Sequence, residues 1–312
     1  MNRRNFLTFA VLLPLLPSCA ESKNGAGQMA MADTQTKADT LAKVLSNDEK
    51  QAASREIFKK IVAKAKAENW VQLPIGQMMA NIGLMLQGTD YVGGTLDGEG
   101  GEVCRVDFTG LDCVTFFEVA LGTSRIMKKG KDTFEDLVNE ITMTRYRGGN
   151  LTDYTSRLHY TADWIYDNAQ KGVVKDVTKE IGGEKLPLKV NFMSQHPKYY
   201  PPLVADSSLI AVMAKHENAI NARQYFYIPK ADVAKIAPLL KTGDIIAIST
   251  NKEGLDYSHT GMAYRDEKGV LRFLHASQTK KKVILDTALH DYLAGVKSQT
   301  GITVARPVEV KA

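Results

Sequence analysis

A thiol becomes a useful nucleophile when a base stands ready to take its proton. In this chain the residues that could form such a set are Cys113, His259 and His275. Cys113 lies in Thr109-Gly-Leu-Asp-Cys-Val-Thr-Phe-Phe-Glu-Val-Ala-Leu-Gly122, at the seam between a glycine-bearing loop and an apolar run. Asp112 is a good N-cap, because its carboxylate can accept the free amide hydrogens of a first helical turn. Val114, Phe116, Phe117, Val119, Ala120 and Leu121 then point apolar groups nearly all round, so this helix is expected to be buried. A thiol in its first turn feels free amide donors and the positive end of the helix dipole, which should lower its pKa toward neutrality. The same amides could receive an oxyanion. Taken alone, a cysteine in an apolar run reads as a small core residue. Two histidines downstream, each in a strand-like run, shift the reading toward chemistry.

One histidine would take the thiol proton and return it to a leaving amine, while the other orients the first by accepting its second ring proton. A lone strand histidine is more often a satisfied core residue, so the argument rests on the set of three. Zinc would want a close pair such as His-x-His or Cys-x-x-Cys, which the chain lacks, so catalysis ranks above metal binding and no metal is expected. With three cysteines, one of them in the leader, the chain does not read as a disulfide scaffold.

The elements that must position this set can be read in order. Residues 1–19 read as a lipoprotein-type export signal, with Arg3-Arg4, a short apolar stretch from Phe6 to Leu16, and Cys19 as the lipidation site. The apolar part is too short to span a bilayer as a mature helix. Residues 20–45 are polar and free of aromatics, hence a flexible tether, and residues 46–312 are expected to form one domain. Ser46-Asn-Asp-Glu49 is a capping box opening a helix from about Asn47 to Glu68. A second helix runs from Pro74 to Gly88, and Thr133 to Arg147 and Asp206 to Asn221 also read as helices. Cys104 to Phe108 reads as a short strand. From Gln224 onward the pattern turns to β-rich runs, with a turn cluster at Arg265-Asp-Glu-Lys-Gly269 that should set His259 and His275 on adjacent antiparallel strands. Helices first and antiparallel strands last imply an α+β domain, with the apolar helix packed on one sheet face.

Two further stretches carry side chains suited to binding. Tyr91 lies between glycine-bearing turns in Gln87-Gly-Thr-Asp-Tyr-Val-Gly-Gly-Thr-Leu96, where it could serve a site or cap the core edge. Leu158-His-Tyr-Thr-Ala-Asp-Trp-Ile165 is dense in residues with an apolar body and a polar tip, a mixture shared by substrate grooves and core edges. Arg157, His159, Tyr160 and Trp164 are the substrate-binding candidates, with Arg157 pairing to a carboxylate and Tyr160 or Trp164 stacking on a sugar. The alternative has Arg157 bridging acidic residues and the two rings filling the core. Net charge is +5, but the basic residues are dispersed and do not interleave with aromatics, which argues against nucleic acid.

Several blocks together resemble a known family. Gly88-Thr-Asp-Tyr-Val-Gly-Gly-Thr95, Asp112-Cys113, Asp256-Tyr-Ser-His-Thr-Gly-Met-Ala-Tyr264 and Leu274-His-Ala276 look like the tyrosine, cysteine and two histidine blocks of NlpC-type, papain-like cell-wall peptidases. Arg157-Leu-His-Tyr-Thr-Ala-Asp-Trp164, Met193-Ser-Gln-His-Pro197 and Gly301-Ile-Thr-Val-Ala-Arg-Pro307 resemble a branch described as N-acetylmuramoyl-L-alanine amidase-like. The resemblance, which covers about Ser46 to Pro307, implies a papain-like α+β fold and a catalytic triad of Cys113, His259 and His275. It places Tyr91 at the oxyanion site, with Asp112 and Ser258 as supporting residues, although Asp90 stands where the superfamily commonly has proline. It implies hydrolysis of the amide between N-acetylmuramic acid, including anhydro forms, and L-alanine in peptidoglycan fragments. The competing readings are an endopeptidase cutting the stem peptide after D-glutamate and a non-catalytic muropeptide-binding lipoprotein. No cofactor is expected, and the expected partners are muropeptides and, through a lipid anchor, the membrane. The protein is expected to be a monomer facing the periplasm, either anchored or soluble.

Overall fold

The computed structural model describes residues 47–98 and 101–311. Cys19, the expected export signal and the tether lie outside the described residues. The chain opens with α1 (Asn47–Ala67), which buries Phe58, Ile61, Val62 and Ala65 on one face. α2 (Ile75–Met85) follows Pro74. Two very short strands, β1 (Asp90–Tyr91) and β2 (Gly110–Leu111), precede α3 (Cys113–Lys128) and α4 (Phe134–Arg145). Next come α5 (Thr161–Gln170), β3 (Val174–Asp176), β4 (Glu184–Leu186), α6 (Phe192–Gln195), α7 (Pro201–Ala205) and α8 (Ser208–Asn221). The last third holds β5 (Tyr225–Pro229), α9 (Val233–Ile236), β6 (Ile245–Thr250), β7 (Tyr257–Arg265) and β8 (Leu271–Ser277), then β9 (Lys282–Ala288), α10 (Leu289–Ala294) and β10 (Gln299–Pro307).

The ten strands form one mixed sheet in the order β2-β1-β9-β8-β7-β6-β10-β5-β4, with β3 pairing to β10. The α+β class read from the sequence fits this architecture, with one change. The sheet is not wholly antiparallel, because β1 and β2 run parallel. Period-two alternation divides the central strands between two cores. Met262 and Leu274 face α3 and join Phe116 and Phe117 in the larger one. Ala263 and Phe273 point the other way and pack with Ile246, Ile248, Leu289 and Leu293. The central strands are therefore covered on both faces, and an all-round apolar α3 has a surface to bury against.

Cys104 to Phe108 is not a strand. Side chains take the place of a ladder there: Arg145 Nη1 donates to the Arg105 carbonyl at 2.6 Å, and the Phe108 amide donates to Ser54 Oγ at 2.9 Å. The sequence shows the β-prone residues but not these partners, which sit tens of positions away.

Arg145 also clamps α4 to α3. Its Nε and Nη2 donate to Glu118 Oε2 at 2.9 and 2.8 Å, and both side chains are almost wholly buried. Removing one member of such a pair leaves an uncompensated charge in the interior. Glu118→Ala should therefore lower unfolding stability by ~3–5 kcal/mol, read by chemical denaturation. A loss no larger than that of a surface substitution would show that the pair does not hold the cysteine-bearing helix in place.

Candidate active site

The thiol side of the site is built from a two-residue strand pair and a helix cap. Tyr91 is in register with Leu111, and its amide donates to the Lys281 carbonyl at 2.8 Å, so its ring is fixed two positions from Cys113. Asp112 is the N-cap of α3 and Cys113 is the first helical residue. Asp112 Oδ1 accepts from the amides of Val114 at 3.0 Å and Thr115 at 2.8 Å, while its own amide donates to Thr115 Oγ1 at 2.9 Å. This capping box changes the expected anion site, because two of the first-turn amides are already taken. The donors left near the sulfur are the amide of Cys113, which interacts with its own thiol, and the Tyr91 hydroxyl. Burial, followed by the charges of Cys113 and Asp112, pushes Tyr91 up to about 12, which keeps that hydroxyl protonated.

The imidazole side depends on a β-bulge. Ile248 pairs with His259 but Ser249 pairs with Tyr257, so Ser258 is an extra residue with no partner across the ladder. Without the bulge Tyr257 and His259 would share a face. With it, Tyr257 enters the larger core and donates from its hydroxyl to Thr303 at 2.8 Å, while His259 sits on the opposite face against Phe273. Met262 pairs with Leu274, which puts Gly261 opposite His275 and His259 diagonal to it on the same face. Glycine is needed there, since a Cβ at 261 would come within 2.7 Å of the His275 Cβ and 2.6 Å of the Phe273 ring.

His259 Nε2 lies 2.6 Å from His275 Nδ1, and His275 Nε2 lies 3.3 Å from Asp286 Oδ2. These contacts order the protons. A carboxylate can only accept, so His275 carries its proton on Nε2 and its Nδ1 is bare. His259 then donates from Nε2, and its Nδ1 is left bare. His275 is 1% exposed, so its ring cannot exchange these partners for water. Tyr292 of α10 lies with its ring centroid 5.1 Å from that of His275 and 6.2 Å from that of His259. Asp286 and Tyr292 belong to the site although sequence reasoning passed over both.

Thr260 joins the two sides. Its side chain faces α3, and its hydroxyl donates to the Cys113 carbonyl at 2.7 Å, so the residue after the histidine is bonded to the cysteine itself. The expected depression of the thiol pKa is overturned. Burial first, and the Asp112 carboxylate second, push Cys113 up to about 11, against weaker help from hydrogen bonds with Thr260. His259 is pushed down to about 3 by burial and by His275 beside it. At neutral pH the resting pair is thus thiol and imidazole, not thiolate and imidazolium.

The expected groove around residues 157–164 takes a different role. Arg157 is 7% exposed, with Nε at 2.9 Å and Nη2 at 2.5 Å from the Glu102 carboxylate and Nη1 at 2.9 Å from Asp97. Its donors are occupied within the chain. Tyr160 is 4% exposed and donates to Glu217 at 2.7 Å, while Trp164 is 2% exposed and packs edge-on against Phe117 of α3 at 5.0 Å. His159 Nε2 lies 2.7 Å from the Tyr154 carbonyl, and burial pushes this ring down to about 3. Neither buried ring offers a face for stacking, so these residues support the helices behind Cys113. Asp256, in the first histidine block, contributes from the same direction: its buried carboxylate accepts the Ala162 amide of α5 at 2.8 Å. Ser258 is exposed, with its Oγ 3.4 Å from the Ile248 carbonyl, and its part in the site is to form the bulge.

A helix start tied through Thr260 to the strand that carries the paired imidazoles frames the candidate site, and comparison with known proteins gives the chain's relatives. Residues 81–302 match the model of the AmiA-like family, described as N-acetylmuramoyl-L-alanine amidase-like, and the chain belongs to that family. A crystal structure of an N-acetylmuramoyl-L-alanine amidase from Bacteroides uniformis is similar at 34% identity, covering 75% of this chain and 99% of that one with a TM-score of 0.71. A Bacteroides fragilis structure described as a candidate xylanase is 38% identical, covering 72% of this chain and 98% of that one with a TM-score of 0.68. A Legionella pneumophila protein at 20% identity and a TM-score of 0.65, covering 84% of this chain and 97% of that one, shares the fold. Among curated proteins, none matches the chain.

The charge states make a direct test possible. Alkylation of Cys113 by iodoacetamide should be slow at neutral pH and rise about tenfold per pH unit with no plateau below about pH 9, because the thiolate fraction grows in that proportion below the thiol's value of about 11. Peptide mass mapping separates it from Cys104, the other free cysteine among the described residues. A rate already at its plateau near pH 6 would mean that the resting pair is ionic.

Proposed function

We propose that this chain is a cysteine amidase of the bacterial cell envelope that hydrolyses the amide between N-acetylmuramic acid, including anhydro forms, and L-alanine in peptidoglycan fragments. The observation that carries the reading is the chain of contacts from His259 through His275 to Asp286, set one residue from the Thr260 bond to Cys113. In the first step Cys113 Sγ attacks the lactyl carbonyl carbon while its proton passes to His259 Nδ1. The positive charge formed on His259 is stabilised by the bare Nδ1 of His275 and, beyond it, by Asp286. The carbonyl oxygen gathers negative charge between the Cys113 amide and the Tyr91 hydroxyl. The carbon–nitrogen bond then breaks, His259 returns the proton to the nitrogen, and the stem peptide leaves as a free amine. A water activated by the same imidazole cleaves the thioester, releasing the muramic acid carboxylate and restoring the thiol.

The family and the Bacteroides uniformis relative support the choice of bond. Xylan hydrolysis, suggested by the description of the Bacteroides fragilis structure, would call for two carboxylates flanking a glycosidic oxygen. Here Asp112 is spent on the helix cap and Asp286 stands behind His275, so neither of these carboxylates beside the site is free to act as one of such a pair. An NlpC-type, papain-like ancestry suits the same order of parts, and the Leu16-Pro-Ser-Cys19 motif supports lipid anchoring at Cys19 with the domain facing the periplasm.

Mass spectrometry of a digest of defined muropeptides tests the bond. The expected products are intact sugar and a peptide beginning with free L-alanine, whereas fragments cut after D-glutamate would replace this reading with the endopeptidase one. Cys113→Ser should fold normally and lose nearly all turnover. Asp286→Asn should lower kcat by on the order of 10²-fold, because an amide donating to His275 would reverse both tautomers and leave His259 without a base. Asp286→Glu should recover part of the rate. Equal rates for Asp286→Asn and wild type would remove Asp286 from the mechanism.

A further inference from the structure

A cavity of about 350 Å³ opens beside the imidazoles, within the size range of small-ligand sites. Its walls include His259, Ser277, Asp286 and Tyr292, and Lys252 and Lys280 stand on its rim. Tyr91 is not among its walls. The loop that follows Tyr91, Val92 to Thr95, borders a separate and larger cavity of about 660 Å³. Of the two, only the smaller is lined by an imidazole of the site.

Amide cleavage fixes which half of a substrate lies on which side. The leaving nitrogen must come within hydrogen-bond reach of the imidazole that protonates it. The amine half therefore lies over His259 and extends into the cavity that His259 lines, and the acyl half lies toward Tyr91. In the amide proposed above the amine half is the peptide. The rim of its cavity is cationic: Lys252 and Lys280 are exposed and form no ion pair among the described residues. Lys280 lies in the turn from β8 into β9, which leads from His275 to Asp286. Asp286, the carboxylate on the cavity wall, is already turned to His275. The cavity thus combines unpaired positive charge at its mouth with hydroxyl groups on its wall.

We infer that this cavity is the subsite for the leaving peptide and that it selects acidic peptides, with Lys252 and Lys280 receiving a carboxylate near the L-alanine end. The inference rests on the amidase reading for the direction of the substrate, and its test separates the two. The peptide probe is L-alanyl-γ-D-glutamate, and the hydrolysis substrates are muramoyl dipeptides whose glutamate α-carboxyl is either free or amidated. Wild-type enzyme should cleave the free acid with a kcat/KM about tenfold above that of the amide, as expected for one charge-assisted contact, and the preference should shrink at high salt. In the double variant K252Q/K280Q the preference should fall to within about twofold while kcat on the amidated substrate stays at the wild-type level.

The binding arm uses Cys113→Ala protein and the sugar-free peptide, measured by calorimetry with and without the lysine substitutions. Lysine-dependent peptide binding without any cleavage of the muramoyl amide would sink the amidase reading and keep the subsite. Cleavage at equal kcat/KM for acid and amide would overturn the subsite and keep the amidase. A preference for the acid that survives in K252Q/K280Q would place the carboxylate elsewhere and overturn it too.

Discussion

The site hangs on one hydrogen bond. Thr260 Oγ1 donates to the carbonyl of Cys113 at 2.7 Å, tying the first residue of α3 to the strand that carries His259. Both ends of that bond are otherwise constrained. The helix start is closed by the Asp112 capping box, and β7 is held between β6 and β8 with its larger-core face against α3. A hydroxyl facing the helix and an imidazole facing away from it are what consecutive residues of a strand provide. The bulge at Ser258 is what lets the core take Tyr257 without turning His259 inward.

Given that geometry, the electrostatics favour a neutral thiol and a neutral imidazole at rest. Burial raises the thiol and lowers His259, and the cap that stabilises the helix adds a carboxylate beside the sulfur. A helix N-terminus by itself would favour thiolate. Here desolvation and Asp112 win, so the proposed reaction would draw on an oriented base rather than on a preformed anion. The relay from Asp286 through His275 supplies that orientation, because each contact settles which nitrogen of the next ring is bare. Gly261 and Tyr292 hold the rings from either side, one by leaving space and the other by filling it.

Much of this was legible before any coordinates. Cys113 announces itself by standing between an N-cap and an apolar run, and the turn cluster at 265–269 places His259 and His275 on neighbouring strands. Asp286 was within reach too. Counting back from the turn after Ser277 puts it on the face of His275, two residues beyond Ile284, which pairs with His275. What the sequence could not give was a balance of terms. Whether a helix-start thiol is acidic depends on how deeply it is buried, and whether Arg157 meets a substrate depends on Glu102, 55 positions away. Residues with an apolar body and a polar tip look alike in a groove and at a core edge, so Tyr160 and Trp164 carried no signal to choose between them. The bulge likewise leaves no mark, since Ser258 is an ordinary strand-edge residue.

The account stands or falls on a covalent bond from Cys113 to the acyl half of the substrate. Rapid mixing with a muramoyl-peptide, acid quenching within the first turnover, and mass analysis of the intact protein and its peptides would look for it directly. A transient gain equal to the muramoyl group, confined to the peptide that contains Cys113, is the predicted result. Full turnover with no adduct on any residue, together with unimpaired hydrolysis after Cys113 is alkylated, would contradict it.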